Sequence, residues 1–467
     1  MQGADATRIV PDIADIWKKR QGVIHMLGIG GVGMAGLAIL LKRSGWTVHG
    51  CDSTEGSLTS WLRSEGVGVL IGHDSVHLND RPDFIIRSPA VRNGEPELER
   101  AKKLGIPVVD RGQILPLLLN NRVSIAVAGT HGKTTTTSMI AWMLDQAGYP
   151  VSFCIGGICP GLNVVARDVS ESCIVVEADE SDGTLRHYHP TIAVITSMDL
   201  DHVDFFADNS QVHQTYRAFV ENAENVVFSA DDPMATSVAV DHAQSVGYGL
   251  QYGDARITGI QLGASESSFI YQLSDREPLV VNLALSGKHN VINAAGAITA
   301  VSRLGVDIRV AVAALSQFQL PKRRFEIVAD GKGITVISDY AHHPVEIESL
   351  LQQASLRQSR RIIGVFQPHR YSRTRAFREA FAEVLIKLDV LVLVPVYSAS
   401  EPYLEGGTSE DLFLTLRERG QNPMHLAESV EDGWQKLKKI WQSGDLVLII
   451  GAGDIDLIGK WSSRELG

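Results

Sequence analysis

The sequence predicts an α/β protein made of three successive strand–helix units. Three observations carry this expectation. A chain of 467 residues is too long for one ordinary core, because domains run at about 100–200 residues. Apolar, β-rich runs that end in glycines or acids alternate with stretches of helical spacing. That alternation restarts twice, which places units at 1–120, 121–321 and 322–467.

In the first unit, "GVIHML" (Gly22–Leu27) reads as a strand, "MAGLAILLKRSG" (Met34–Gly45) as a helix stopped by glycine, and "TVHGCD" (Thr47–Asp52) as a strand ending in an acid. "DFIIRSPAV" (Asp83–Val91) and "IPVVD" (Ile106–Asp110) continue the series. Strands separated by helices imply a parallel sheet with its ligand site at the strand C-termini. The second unit opens with "RVSIAVAGTHGK" and continues through Ser172–Glu180, Thr191–Asp199 and Asn225–Asp232. From Tyr248 to Leu285 short runs suggest antiparallel strands attached to this unit, and Gly287–Gly305 reads as a helix. The third unit carries strands at Gly333–Asp339, Arg361–Gln367, Asp389–Val396 and Asp445–Gly453. The expected architecture is a Rossmann-like parallel sheet, a central P-loop ATPase-type α/β domain with extra antiparallel strands, and a C-terminal Rossmann-like α/β domain.

Composition narrows the function. Hydrophobic residues are 44% and charged residues 21%, which is globular rather than disordered. A net charge of -11 argues against non-specific nucleic-acid binding, which needs a basic face. The four cysteines show no paired CxxC spacing, so buried thiols in a reducing compartment are expected and no zinc site is supported. The start has no signal-peptide core, and no apolar run approaches the roughly 20 residues that span a bilayer. A cytoplasmic protein with no membrane contact is the expectation.

Two glycine-rich loops carry the chemistry. Gly28, Gly30 and Gly33, in "GIGGVG", form GxGxxG between a strand and a helix. Such a loop lets a diphosphate approach the helix N-terminus closely. Asp52, at the end of the next strand, is placed to meet a ribose hydroxyl. "AGTHGKTTTT" supplies Gly129, Thr130, His131, Gly132, Lys133, Thr134 and Thr135 after the strand "VSIAVA". Its amides can wrap phosphates, Lys133 can neutralise transferring charge and Thr134 can ligate magnesium. The loop is shorter than the general one, since Val127 stands where the first glycine is usual. "VVEADESD" puts Glu177, Asp179 and Glu180 at a strand end, and "DLDHVDFF" puts His202 between Asp201 and Asp204 after the next. Carboxylate and imidazole donors beside a phosphate loop suit one or two magnesium ions.

Further polar sets follow. "GKHNVINAA" holds His289, Asn290 and Asn293 near a helix start, and "PKRRFE" is a basic pair at the expected hinge. "SDYAHHP" and "FQPHRYSRT" place dense polar and aromatic residues at two neighbouring strand ends. Arginines there can pair a carboxylate or phosphate in bidentate fashion.

With these motifs in order, the chain strongly resembles the Mur ligases from about Gly22 to Gly453. The markers are "IHMLGIGGVGMAGLA", "AGTHGKTTT", "EADESD", "DLDHVD", "GKHNVINA", "KRRFE", "DYAHHP" and "QPHRYSRT". The resemblance implies an ATP-dependent ligase that activates the lactyl carboxylate of UDP-N-acetylmuramate as an acyl phosphate and couples it to L-alanine. It implies ATP phosphates on Gly129–Thr135 and charge stabilisation by Lys133. It implies magnesium on Thr134, Glu177 and His202. His289, Asn290, Asn293, Arg324 and Asp339 then serve the nucleotide. Tyr340, His342, Arg370 and Arg373 serve the amino acid. Gly28, Gly30, Gly31, Gly33, Met34, Asp52, His73 and Ser88 fall on the UDP-sugar side. A monomer or weak homodimer is expected. Several relatives that add later residues carry a carbamylated lysine near the metals, whereas this chain has no lysine between His202 and Ala230.

Three rivals stand beside this reading. A recycling ligase would join a preformed tripeptide to the same sugar. A nicotinamide-dependent oxidoreductase would use Gly28–Gly33 and Asp52 but leave the phosphate loop idle. A regulatory P-loop ATPase would turn over ATP without a UDP-sugar.

Overall fold

The structure is a computed structural model that describes residues 10–120, 122–169, 173–201, 205–206, 208–274, 276–420 and 423–467. It contains three sheets, one for each expected unit.

The first sheet comprises β1 (Val23–Leu27), β2 (Thr47–Asp52), β3 (Gly68–Ile71), β4 (Phe84–Arg87) and β5 (Val108–Asp110). Its order is β3-β2-β1-β4-β5 and every pairing is parallel. The sequence reading anticipated four of these strands and omitted β3. That strand lies on the edge with only Val69 buried, so it shows no alternation to detect. The helix Val32–Arg43 is buried from Met34 to Leu41. One side meets its own sheet and the other meets the central domain. A Cβ at Gly36 would lie 2.7 Å from Cys154 Sγ, so the approach depends on glycine.

The central sheet has ten strands: β6 (Val123–Ala128), β7 (Ser152–Cys154), β8 (Ala166–Arg167), β9 (Cys173–Glu177), β10 (Ile192–Ile195), β11 (Asn225–Ser229), β12 (Ser245–Gly249), β13 (Ala255–Leu262), β14 (Ser267–Leu273) and β15 (Leu279–Leu283). The order is β15-β14-β13-β12-β11-β10-β6-β9-β7-β8. β6 lies between β10 and β9 in parallel register, so their C-terminal ends open on one edge. The expected antiparallel strands are present, but β13 first pairs parallel with β12 over two residues. The antiparallel meander begins at β14.

The third sheet comprises β16 (Glu326–Gly331), β17 (Ile334–Asp339), β18 (Arg361–Phe366), β19 (Val390–Leu393), β20 (Met424–Leu426) and β21 (Asp445–Ile450). Its order is β16-β17-β21-β18-β19-β20, parallel except for the β16–β17 hairpin. One continuous apolar core joins the first two domains, running from Met34 and Leu37 to Ala126 and Val176. The third domain keeps its own cores on the two faces of its sheet. The segment Pro321–Phe325 leads into β16, the first strand of the third sheet. No helix among the described residues is long and apolar enough to cross a membrane.

Candidate active site

β6 ends at Ala128, and the helix Lys133–Gln146 starts four residues after Gly129. Gly129 (φ 141°) and Gly132 (φ 82°) take backbone conformations that side chains rarely adopt. A Cβ on Gly129 would meet Thr196 Oγ1 at 2.0 Å, and one on Gly132 would meet Asn293 Oδ1 at 2.5 Å. The loop is pinned from below. Thr130 N donates to Ser197 O at 3.0 Å, and His131 N donates to Ser197 Oγ at 2.9 Å. The helix N-terminus, with its free amides, thus faces a preformed concavity that favours anions.

Lys133 Nζ donates to Gly129 O at 2.6 Å and to Glu180 Oε1 at 2.9 Å. Burial alone would lower its pKa. The carboxylates of Glu180, Asp179 and Glu177 outweigh that and hold it above the ordinary lysine value. The cation is therefore kept charged inside the loop. The motif alone assigns Glu180 no separate role, and its contact with Lys133 is what the fold adds. Thr134 Oγ1 donates to Glu177 Oε1 at 3.1 Å, and Gly156 N orients the other carboxylate oxygen at 2.9 Å. These are hard oxygen donors of the kind magnesium takes. His202 and Asp204 lie outside the described residues.

A cavity of about 300 Å³ adjoins the loop. His131, Gly132 and Thr135 line it from the loop, and His289, Asn290 and Asn293 from the helix Lys288–Val301. Arg324 and Asp339 line it from the third domain. Residues far apart in sequence thus share one wall. Burial, reinforced by Arg324, lowers His289 to about 4, so its ring is neutral near pH 7. Asp339 accepts the amides of Phe325 and Ala341 at 2.7 and 2.8 Å. Arg324 lies 5.3 Å from the Tyr340 ring centroid, which aligns the hinge with the end of β17.

The expected amino-acid residues come together just past the ends of β17 and β18, with side chains already engaged by protein partners. His342 Nδ1 contacts Tyr340 O at 2.9 Å, and the His342 and His369 ring centroids are 5.6 Å apart. Arg370 lies 3.7 Å from Glu401. Arg373 donates through Nε and Nη2 to the two carboxylate oxygens of Asp201, at 2.9 and 3.0 Å. Both side chains are buried, and the pair crosses from the third domain to the central one. Glu346 makes a second crossing, 3.3 Å from His131 Nδ1 while accepting His342 N at 2.9 Å. Sequence reasoning missed Glu346, although its place just after "DYAHHP", in a helix opening with Pro344, was a usable signal.

On the first domain, Gly28 N and Ile29 N donate to Cys51 O, which turns the glycine loop over the end of β2. Asp52 Oδ2 accepts Gly30 N at 2.9 Å, so this acid braces the loop. Ser88 packs against Gly28, where a Cβ would meet it at 2.9 Å. Met34 is buried in the core, and Gly31 adjoins it. His73 turns toward Cys51 Sγ and Glu97 Oε1, at 3.4 Å from each. Arg111, which follows β5, packs over Gly33 and reaches Asp179 Oδ2 at 2.8 Å. It brings a cation to the seam between the glycine loop and the central acids. Its position just past a strand end was the overlooked signal.

Family models match along almost all of this architecture. Residues 23–122 match the Mur ligase family catalytic domain, 127–301 the Mur ligase middle domain, and 323–453 the Mur ligase glutamate ligase domain. A UDP-N-acetylmuramate–L-alanine ligase of Carboxydothermus hydrogenoformans is 37% identical over 93% of this chain and 95% of its own. The chain belongs to the Mur ligase family. A second relative, the UDP-N-acetylmuramate–L-alanine ligase of Thermobifida fusca, is 36% identical over 96% and 97% of the two chains. The crystal structure of the Thermotoga maritima UDP-N-acetylmuramate–alanine ligase superposes with a TM-score of 0.80 at 27% identity. It covers 95% of this chain and 99% of that one. A murein peptide ligase of Psychrobacter arcticus superposes at 0.73 and 26%, covering 96% and 99%. The two loops of this Mur ligase thus lie in two different domains that share one core.

Proposed function

We propose that the protein is an ATP-dependent ligase joining L-alanine to the lactyl carboxylate of UDP-N-acetylmuramate, in the cytoplasm, as a step of peptidoglycan precursor synthesis. The observation that carries this reading is one strand edge where Lys133 meets Glu180 and Thr134 meets Glu177. Relatives 36–37% identical over nearly their whole length bear the corresponding ligase name.

A carboxylate is a poor acyl donor because its oxygen leaves badly. Transfer of the γ-phosphoryl group of ATP to that oxygen gives an acyl phosphate and ADP. The amine of L-alanine then attacks the acyl carbon, phosphate leaves, and the amide forms with loss of the amine proton. Catalysis of this kind is mostly alignment and charge neutralisation. The amides of Gly129–Thr134 cradle the phosphates. Lys133 follows the transferring charge while Glu180 keeps it protonated. Thr134 and Glu177, with His202 as the further expected ligand, would hold magnesium, which supplies neutralisation of the phosphate oxygens. His289, Asn290, Asn293, Arg324 and Asp339 serve the nucleoside. Tyr340, His342 and Arg370 receive the amino acid, and Arg373 shapes that side through Asp201. The glycine loop, Ser88 and Arg111 hold the UDP-sugar.

The acyl phosphate is tested with UDP-N-acetylmuramate carrying heavy oxygen in its carboxylate. One labelled oxygen is expected in the released phosphate. Phosphate free of label would overturn the mechanism.

A further inference from the structure

A second group of titratable side chains lies away from the phosphate loop, inside the first domain. His25 comes from β1, Cys51 from β2, His77 from the turn Ser75–Leu78 and Glu97 from the first turn of the helix Pro96–Leu104. Four segments that are distant in sequence each contribute one donor. His25, Cys51 and Glu97 are fully buried, and the four donor atoms all lie within 4.8 Å of one another. Cys51 Sγ is 3.6 Å from His25 Nε2 and 3.2 Å from Glu97 Oε1, and His77 Nδ1 is 3.1 Å from Glu97 Oε1.

Zinc donors at about 2.0–2.3 Å in tetrahedral array stand roughly 3.3–3.6 Å from one another. The 3.6 Å spacing falls on such an edge, 3.1 and 3.2 Å lie just inside it, and no two of the four donors are more than 4.8 Å apart. The set of two imidazoles, one sulfur and one carboxylate is the borderline-soft mixture that zinc selects over magnesium. We propose that the first domain binds a structural zinc ion on His25, Cys51, His77 and Glu97.

Two features of the surroundings support this site. Glu97 Oε1 faces Cys51 and His77 and also accepts Asp74 N at 3.0 Å, whereas Oε2 of the same carboxylate is buried without a hydrogen-bond partner, which leaves the group with an oxygen open to a further contact. Behind His25, its Nδ1 lies 2.8 Å from His49 Nδ1, which leaves Nε2 to face the other donors. An outer contact of this kind orients a metal-bound imidazole. On binding, the Cys51 thiol loses its proton to solvent. The thiolate and carboxylate then balance the two positive charges of the ion, giving a buried centre with no net charge. The cysteine spacing had argued against zinc, because only the fold brings together donors 20 or more residues apart. The ion would tie the end of β2, whose Cys51 carbonyl holds the glycine loop, to the helix Pro96–Leu104.

The test uses the full chain, stripped with a chelator. It is titrated with Zn²⁺ against a chromogenic chelator, and separately with Co²⁺. One tightly held zinc per chain, a raised Tm and a thiolate-to-cobalt charge-transfer band are expected. Cobalt at the magnesium donors gives no such band. C51S is expected to abolish it and H77Q to weaken it, whereas C173S, altering a thiol outside the cluster, should retain it. A wild-type chain with no charge-transfer band and a Tm indifferent to zinc would overturn the proposal. So would a band of equal strength in C51S.

Discussion

Lys133 sits charged and ion-paired in its loop before any phosphate arrives. Its replacement separates the two halves of the account. Lys133→Ala is expected to abolish ligation, at least a hundredfold by analogy with removal of one transition-state donor, about 10²–10³ in rate. UDP-N-acetylmuramate affinity should be nearly unchanged, since that ligand is assigned to the other domain. Isothermal titration checks this, and a large loss of UDP-sugar affinity would contradict the assignment. At this scale the sequence was legible where one short motif carries a whole function, as in Gly129–Thr135. It was poorly legible where function needs partners. Nothing local says that Glu180 pairs with Lys133, that Arg111 reaches Asp179, or that Asp52 braces Gly30.

The phosphate loop works as an element only if its backbone can take left-handed turns beneath β10 and its following segment. Gly129→Ala places a methyl group within 2.0 Å of Thr196 Oγ1 at a positive φ. A loss of about 1–3 kcal/mol of stability is expected from such strain, together with weakened ATP binding. Denaturant unfolding and nucleotide titration read the two effects. Wild-type ATP affinity in this variant would show that the loop does not cradle phosphates. Elements with a strong period were legible, including the buried strands β1, β6 and β18. Among edge strands, β5 and β15 were legible but β3 and β16 were not. β3 and β16 bury few residues and alternate weakly, so they carry little of the hydrophobic pattern on which such reading depends. The antiparallel extension was visible, but its parallel junction at β12–β13 rests on two paired residues and leaves no sequence trace.

Across the whole molecule, the third domain meets the central one through polar contacts, while the first two domains share an apolar core. Arg373 and Asp201 form the buried, bidentate part of that contact. Removing one partner of such a pair costs about 3–5 kcal/mol. Asp201→Ala is therefore expected to loosen domain docking and enlarge the radius of gyration in scattering. An unchanged profile and unchanged unfolding midpoint would remove the pair from this role. The same interface should be acid-sensitive. His342 and His343 are lowered to about 4 and His369 to about 2, mainly by burial. Their ordinary value is about 6.5, so the unfolded chain binds more protons than the folded one as pH falls below that point. Stability should be full above about pH 6.5 and decline toward pH 4. Unfolding midpoints that stay level across this window would contradict those buried neutral rings. The central claim, that two loops in two domains serve one coupled reaction, is tested most directly by ADP release in the presence of ATP, UDP-N-acetylmuramate and a panel of amino acids. Release is expected only when the UDP-sugar is present together with L-alanine. ATP turnover without the UDP-sugar, or turnover with a tripeptide but not with L-alanine, would contradict it.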